Sequence, residues 1–186
     1  MAVSSNMLPL GTPLPAFSLP DTVSGERYSS ALLAGKPSVV AFLCNHCPYV
    51  KRIQKGLAEF GRYCAERGVP IVAISSNDVV AYPDDAPEKM TLEARNAGYT
   101  FPYLFDESQE VARAFDAACT PEFYVFGSDG KLAYRGQFDA ARPKNELPSN
   151  GADVRAAVDA LLAGAPPSDQ QTPSIGCNIK WKSARA

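Results

Sequence analysis

Two cysteines separated by two residues, in the motif Cys44-Asn45-His46-Cys47, are the residues best suited to chemistry. A pair this close can close a small disulfide, which makes a reversible two-electron couple. The thiolate is the reactive form, so a redox site must lower a thiol pKa that is ordinarily about 8.5. The first turn of a helix does this, because its unpaired N–H groups and its dipole favour negative charge.

The elements around the motif are suited to that role. Residues 38–43 form an apolar run that is typical of a buried strand, and the motif follows directly. From Pro48 to residue 67 apolar side chains recur at spacings of three and four, which predicts an amphipathic helix. Proline is favoured at the first helical position, so we expect Cys47 to be the N-cap. Lys51 and Arg52 are expected to add positive potential one turn later.

The rest of the chain predicts an α/β fold with the order β-α-β-α-(β)-α-β-β-α. Parallel strands come first and an antiparallel hairpin last, with helices on both faces of the sheet. The further strands are predicted at 69–74, 101–104, 122–126 and 131–136, and the further helices at 88–97, 106–117 (capped by Asp106) and 152–163.

Irregular structure is expected at both ends. Residues 1–37 are rich in Pro, Gly and Ser and are predicted to be a loose segment with a short edge hairpin. Residues 77–87 are predicted to be a polar loop. Residues 166–186 show little regular pattern and are predicted to be a tail that packs on a single domain spanning 1–165.

Composition narrows the class of function. The chain has 186 residues and a net charge of −2, so it lacks the basic balance expected for nucleic-acid or anionic membrane partners. No apolar stretch approaches the length of a membrane span, and the N-terminal residues do not resemble a signal peptide. Five widely spaced cysteines do not suggest a secreted disulfide framework. We therefore expect a cytoplasmic protein.

Metal binding and a purely structural role are the alternatives to redox chemistry. A structural zinc site needs about four ligands, and the chain has one histidine and no second Cys-x-x-Cys. Soft thiolates select Cu(I), so copper handling through Cys44 and Cys47, with His46, is a second hypothesis. A redox-inert binding scaffold is the third. The redox hypothesis needs no resident metal or other cofactor.

Other residues are candidates for supporting roles. Thr120-Pro121 opens the late hairpin, and Cys119 lies just before it. His46 could stabilise a thiolate or shuttle a proton, or it could be an exposed loop residue. Cys177, in the tail, could be a second resolving thiol, although packing is the favoured role. Spectator cysteines are expected at position 64, on the apolar stripe of the first helix, and at position 119.

Several segments carry a resemblance to a known family. These are 10–19, 42–50, 73–78, 82–90, 134–138 and 173–181. Together they resemble the alkyl hydroperoxide reductase/thiol-specific antioxidant (AhpC/TSA, redoxin) branch of the thioredoxin-like superfamily, in a subgroup with a Cys-Asn-His-Cys-Pro motif. The resemblance implies a thioredoxin-like fold with a redoxin-type N-terminal extension, a cis Pro121 facing the cysteines, and thiol redox chemistry. It also suggests that Arg135 orients a peroxide substrate. The alternative is that Arg135 is a surface residue on the hairpin.

Two assignments of the attacking cysteine remain open. By analogy with thioredoxins, Cys44 would attack and Cys47 would resolve. The family pattern Pro-x-x-x-Thr-x-x-Cys instead places the reactive cysteine at Cys47, with Cys44 in place of the threonine and Val40 in place of the proline. We favour Cys47 as the attacking thiolate and Cys44 as its partner. The expected activity is reduction of disulfides or small peroxides, with a thioredoxin-like protein or a low-molecular-weight thiol restoring the dithiol.

Overall fold

The computed structural model describes residues 1–183, and in this part the chain forms ten strands, four α-helices and two short 3-10 helices. The strands are β1 Ala2–Ser4, β2 Ser18–Pro20, β3 Arg27–Ser29, β4 Ser38–Phe42, β5 Ile71–Ser75, β6 Tyr103–Phe105, β7 Cys119–Thr120, β8 Glu122–Phe126, β9 Leu132–Gly136 and β10 Ile175–Asn178. The helices are α1 Pro48–Glu66, α2 Pro87–Ala97, α3 Glu110–Ala114 and α4 Ala152–Leu162, and the 3-10 helices are Ser30–Leu33 and Pro83–Asp85.

A five-stranded sheet in the order β6-β5-β4-β8-β9 forms the centre of the fold. Strand β4 pairs parallel with β5, and β5 pairs parallel with β6. Strand β8 runs antiparallel to both β4 and β9. Every residue of β4, β5 and β8 is buried, as expected for strands covered on both faces. The predicted α/β order, with parallel strands first and a hairpin last, is therefore confirmed.

Side chains of β4 alternate between two apolar layers. Val39 and Ala41 pack in the layer formed with α1, α2 and α4, whereas Val40 and Phe42 pack in the layer formed with α3 and the N-terminal segment. This alternation follows from the two-residue repeat of a strand. Both faces of the sheet are covered, as predicted, and the start of α1 lies at the end of β4.

The ends of the chain are more regular than the sequence suggested. Strands β2 and β3 form the expected edge hairpin. The tail, predicted to lack regular structure, forms β10, which pairs antiparallel with β1 through Ala2↔Cys177 and with β7 through Cys177↔Thr120. These partners are far from β10 in sequence, so a local pattern could not reveal the small sheet that they form.

The predicted helix over 106–117 is shorter in the structure, where α3 spans Glu110–Ala114. Asp106 does not occupy the N-cap position, which belongs to Gln109 with φ 65°. The Asp106 carboxylate instead accepts a hydrogen bond from Ser76 Oγ at 2.8 Å and one from the N–H of Ala112 at 3.0 Å. Among residues 1–183, no helix combines the length and the apolar character that crossing a bilayer requires.

Candidate active site

The cysteine motif connects the end of β4 to the start of α1. Cys47 has extended backbone angles, φ −74° and ψ 123°, and is the N-cap of α1, with Pro48 as the first helical residue. Its backbone carbonyl accepts a helical hydrogen bond from the N–H of Lys51 at 2.9 Å. Pro48 has no N–H to leave unpaired and a φ already suited to a helix, so it starts α1 at this residue. The predicted junction is confirmed.

Both motif thiols contact Thr120, which β7 brings beside the helix start. Cys47 Sγ lies 3.2 Å from the Thr120 carbonyl oxygen, and Cys44 Sγ lies 3.1 Å from Thr120 Oγ1. The peptide bond between Thr120 and Pro121 is cis, as the resemblance implied. The motif and the Thr120-Pro121 segment, far apart in sequence, therefore meet in one place.

The two thiols are buried, and their pKa values are shifted in opposite directions. Cys44 is 1% exposed and Cys47 is 0% exposed. Hydrogen bonding from the Cys44 thiol, aided by the Cys177 thiol and the N–H groups of Val50 and Cys177, lowers the pKa of Cys47 to about 5 against the opposing effect of burial. The same interaction, together with burial, raises the pKa of Cys44. These opposite shifts favour the anionic form of Cys47 over that of Cys44.

Cys177, on β10, is a third thiol at the site. It packs against the apolar layer that contains Cys44 and Cys47, and it is partly exposed. Burial and the hydrogen bond with Cys47 raise the pKa of Cys177 to about 12. Its position beside Cys47 did not follow from the sequence, because it depends on the pairing of β10 with β7.

The buried carboxylate of Asp85, which the sequence analysis missed, supports the motif through hydrogen bonds. Asp85 is 0% exposed and accepts hydrogen bonds from the N–H groups of Asn45 at 2.7 Å and His46 at 3.3 Å. Asn77 Nδ2 donates to its other oxygen at 2.7 Å. His46 Nδ1 lies 2.6 Å from that oxygen, Asp85 Oδ2, and the imidazole stacks on the ring of Tyr82. His46 is thus held by a carboxylate and is not a free loop residue.

One sequence signal pointed toward this carboxylate. Asp84 and Asp85 lie between two prolines in the segment 82–90, which also carries part of the family resemblance. Both aspartates lie in the predicted polar loop 77–87, where the 3-10 helix Pro83–Asp85 turns Asp85 inward. Nothing local indicates which carboxylate of the two is buried.

The basic residues on the first turn do not act as predicted. Lys51 Nζ forms an ion pair with Glu93 at 2.7 Å, which offsets its charge. The Arg52 guanidinium donates to backbone carbonyls of the 139–151 loop, including that of Arg142 at 3.2 Å. The positive potential expected at the helix start is therefore supplied by N–H and thiol donors. Lys51 and Arg52 bind Glu93 and backbone carbonyls instead.

Cys64 and Cys119 are buried away from such donors. Burial raises the pKa of Cys64 to about 12. Burial, followed by the charge of Glu122, raises the pKa of Cys119, whose Sγ lies 3.8 Å from Glu122 Oε2. Glu122 also accepts a hydrogen bond from the Tyr124 hydroxyl at 2.6 Å, in the apolar layer opposite α1.

Arg135, suggested as a peroxide-orienting residue, is committed to other partners. Its Nε donates to the carbonyl of Leu8 at 3.0 Å, and its Nη1 donates to Gln171 Oε1 at 2.7 Å. These contacts join the N-terminal segment to the tail. Among the hydrogen bonds of residues 1–183, none links Arg135 to the motif cysteines.

One group of side chains within the described residues has the spacing of a metal site. Ligand atoms of Cys44, His46 and Asp85 all lie within 4.8 Å of one another. The carboxylate of Asp85 already accepts hydrogen bonds from Asn45, His46 and Asn77, and a metal ion would have to compete with them. The soft donors available to a cation are the thiols.

The chain is similar to a protein family and to several solved structures. The family model of the AhpC/TSA family matches residues 10–135. An uncharacterized conserved protein from Geobacillus kaustophilus is 49% identical, with a TM-score of 0.96, over 100% of this chain and 98% of its own. A hypothetical protein from Sinorhizobium meliloti 1021 is 46% identical, with a TM-score of 0.94, over 97% and 99%.

A more distant structure shares the fold. A thiol:disulfide interchange protein of the thioredoxin family from Chlorobium tepidum TLS is 22% identical, with a TM-score of 0.64, over 83% of this chain and 99% of its own. A search of curated proteins found no match. The thioredoxin-like fold is thereby shown, and the family supports a thioredoxin-like redox function in general. The chain belongs to the AhpC/TSA family.

Proposed function

We propose that the protein is a thiol–disulfide oxidoreductase that uses Cys47 and Cys44 as its redox pair and reduces disulfides or small peroxides. One observation carries the proposal: a cysteine at the N-cap of α1 is surrounded by hydrogen-bond donors, and a second thiol three residues earlier is among them. Such an arrangement keeps a nucleophilic sulfur anionic beside the group that can resolve its product.

The first step is attack by the Cys47 thiolate. On a disulfide R–S–S–R′, a Cys47–S–S–R bond forms and R′S⁻ leaves. On hydrogen peroxide, the sulfur takes one oxygen, the O–O bond breaks, and the sulfenic acid and water form once the departing hydroxide is protonated. With peroxide, Cys47 is oxidised and the substrate is reduced by two electrons in this step. With a disulfide, the two-electron reduction of the substrate is complete only when the second step releases RS⁻.

The second step closes the Cys44–Cys47 disulfide. Cys44 attacks Cys47 Sγ and releases RS⁻ or, from the sulfenic acid, water. Its raised pKa means that the Cys44 thiol must give up a proton as it attacks. One ring nitrogen of His46 lies within 4.8 Å of Cys44 Sγ, and Nδ1 lies 2.6 Å from Asp85 Oδ2. The imidazole of His46 is the acceptor that we assign to this proton. An external thiol then restores the dithiol.

Burial of the two sulfurs bears on the choice of substrate. With Cys44 and Cys47 at 1% and 0% exposure, a hydrogen peroxide molecule needs less displacement of neighbouring residues than a protein disulfide does. The segment that can be displaced most readily is β10, because only short runs of backbone pairing hold it to β1 and β7. A large substrate would have to shift it.

The test is a pair of assays, insulin disulfide reduction and hydrogen peroxide consumption, run with a thiol reductant on the wild-type protein and on Cys47→Ser. Turnover in at least one assay that Cys47→Ser abolishes is the expected result. Cys64→Ser, a buried cysteine on the same helix, is the matched control and should keep that turnover. Two thiols that stay free under both oxidants would overturn the proposal.

Cu(I) handling is a second candidate because the Cys44 and Cys47 sulfurs are direct neighbours, and paired thiols are the soft ligands that Cu(I) prefers. Competition with a Cu(I) chelator would detect it. Stoichiometric binding that is lost in Cys47→Ser, combined with inactivity in both redox assays, would favour this function.

A further inference from the structure

The C-terminal strand places a third thiol at the reacting sulfur. Cys177 is the register partner of Thr120, and the carbonyl oxygen of Thr120 lies 3.2 Å from Cys47 Sγ. Helix α1 and β10 also pack in one apolar layer, in which Cys177 contacts the cluster that includes Cys47. Cys47 therefore lies between two thiols, Cys44 from its own turn and Cys177 from β10.

The close approach of β10 depends on the residue before this cysteine. Gly176 lies directly over the backbone of Thr120, and a Cβ at position 176 would overlap the Thr120 carbonyl oxygen. Any other residue at 176 would push β10 outward. The sequence Gly176-Cys177 thus sets the strand against Thr120 at the distance that brings the thiol to Cys47.

Exposure distinguishes Cys177 from the other cysteines of the described chain. Cys44, Cys47, Cys64 and Cys119 are buried, whereas Cys177 is partly exposed. A disulfide between Cys44 and Cys47 would have both sulfurs inside the protein. A disulfide between Cys47 and Cys177 would include one partly exposed residue, from whose side an external thiol can approach.

We propose that Cys177 is a second resolving thiol, which forms a Cys47–Cys177 disulfide in competition with Cys44 and presents its sulfur to the external reductant. The proposal rests on the proposed function, since it needs Cys47 to be the attacking cysteine. It assigns Cys177 as the residue that the external reductant, a thioredoxin-like protein or a low-molecular-weight thiol, attacks. It also gives the C-terminal strand a chemical role.

The chemistry balances in each step. Cys177 loses its proton and attacks Cys47 Sγ in the mixed disulfide, so the Cys47–Cys177 bond forms and RS⁻ leaves with that proton. From the sulfenic acid, the leaving group is water. For reduction, an external thiolate attacks Cys177 Sγ and expels the Cys47 thiolate, and a second external thiol then frees Cys177 as the external disulfide forms. Low-pKa thiols leave faster, which makes Cys47 the better leaving group.

Oxidation of Cys44→Ser tests this directly. The variant is treated with hydrogen peroxide or, separately, oxidised glutathione, alkylated under denaturing conditions and digested with trypsin. Cys47 lies in the tryptic peptide 28–51 and Cys177 in 156–180. We expect these two peptides to be cross-linked. The Cys44–Cys47 disulfide of the wild type cannot give this product, because both of its cysteines lie in one peptide.

Two further variants make the assignment specific. Adding Cys177→Ser to Cys44→Ser should remove the cross-link, and adding Cys119→Ser should leave it intact. If Cys44→Ser yields only sulfenic acid or glutathionylated Cys47, or links Cys47 to Cys119, the inference is overturned. Wild-type protein run in parallel separates the two proposals, since a Cys44–Cys47 link there upholds the proposed function whatever happens to Cys177.

A rate comparison tests the role of exposure. Oxidised Cys44→Ser, with its Cys47–Cys177 link, should be re-reduced by a thioredoxin faster than oxidised Cys177→Ser, with its Cys44–Cys47 link, by about tenfold, because attack requires access to a sulfur. Equal rates, or the reverse order, would overturn the assignment of Cys177 as the point of reduction.

Discussion

Helix α1 carries a cysteine near each end, and the two behave in opposite ways. Cys47 at the N-cap and Cys64 in the last turn are both 0% exposed. Yet the pKa of Cys47 is lowered to about 5, whereas that of Cys64 is raised to about 12. Residue type, helix and burial are the same, so none of these explains the difference.

The supply of donors explains it. Around Cys47, two thiols and the N–H groups of Val50 and Cys177 favour the anion. Cys64 lies in the C-terminal turn, where helix N–H groups are already paired and the dipole disfavours negative charge. Burial in the apolar layer raises the Cys64 pKa and outweighs the charges of Arg155 and Arg67, which lower it without a hydrogen bond to the sulfur. The lesson is that burial alone makes a cysteine inert, and burial among donors makes it reactive.

The largest effect on turnover is expected from removing the Cys47 thiol, and removing the Cys64 thiol in a second variant gives the contrast between the two ends of α1. Cys47→Ala should lower turnover by about 1,000-fold or more, because it removes the nucleophile. Cys64→Ala should cost about 1 kcal/mol of unfolding free energy through a small cavity and leave turnover nearly unchanged. Turnover in the more active of the two redox assays and urea unfolding measure these effects. Equal loss of turnover in both variants would break the comparison.

A smaller effect is expected from Asp85→Asn, which acts only on the N-terminal end of α1. The asparagine amide would place an N–H₂ group against donors such as Asn77 Nδ2 or His46, so stability should fall by about 1–3 kcal/mol. Loss of His46 orientation should slow disulfide closure by about tenfold, the scale of a misplaced general base.

The readout for this variant separates positioning from folding. Closure is followed as loss of free thiols after a peroxide pulse, across a range of pH, at a temperature where the variant is folded. A changed pH profile with intact secondary structure supports the positioning role. A closure rate and pH profile equal to those of the wild type would show that the His46–Asp85 contact has no part in the reaction.

The smallest effect is expected from Thr120→Val, which keeps the shape of the side chain and removes its hydroxyl. That hydroxyl lies 3.1 Å from Cys44 Sγ and lowers the Cys44 pKa against the stronger raising effects. Its loss should raise the Cys44 pKa further and slow closure by roughly threefold, the scale of one neutral hydrogen bond. Thr120→Ser, which retains the hydroxyl, is the control and should close like the wild type.

The parts of the site that are contiguous in sequence could be predicted. The apolar run of β4, the helical spacing after Pro48 and the position of Cys47 between them are all local patterns. The same holds for the strands at the centre of the sheet, because β4, β5 and β8 are buried, largely apolar runs of five residues. The bounds differed by only a residue or two.

The parts that depend on distant contacts could not be predicted. Asp85 acquires its role from hydrogen bonds to Asn45 and His46, forty and thirty-nine residues away. Strand β10 exists because β1 and β7 offer edges on either side of it, and its own residues have no clear strand pattern. Lys51 was expected to help the thiolate, and its ion pair with Glu93 on α2 lies outside any local pattern.

The most direct measurement of the contrast between the two ends of α1 is the ultraviolet absorbance of the thiolate as a function of pH in the fully reduced protein, since absorbance does not require access to the sulfur. Wild type and Cys64→Ala should show one thiolate at neutral pH that disappears as the pH falls through about 5, and Cys47→Ala should show none. A neutral-pH thiolate that persists in Cys47→Ala, or is missing from the wild type, would contradict the account.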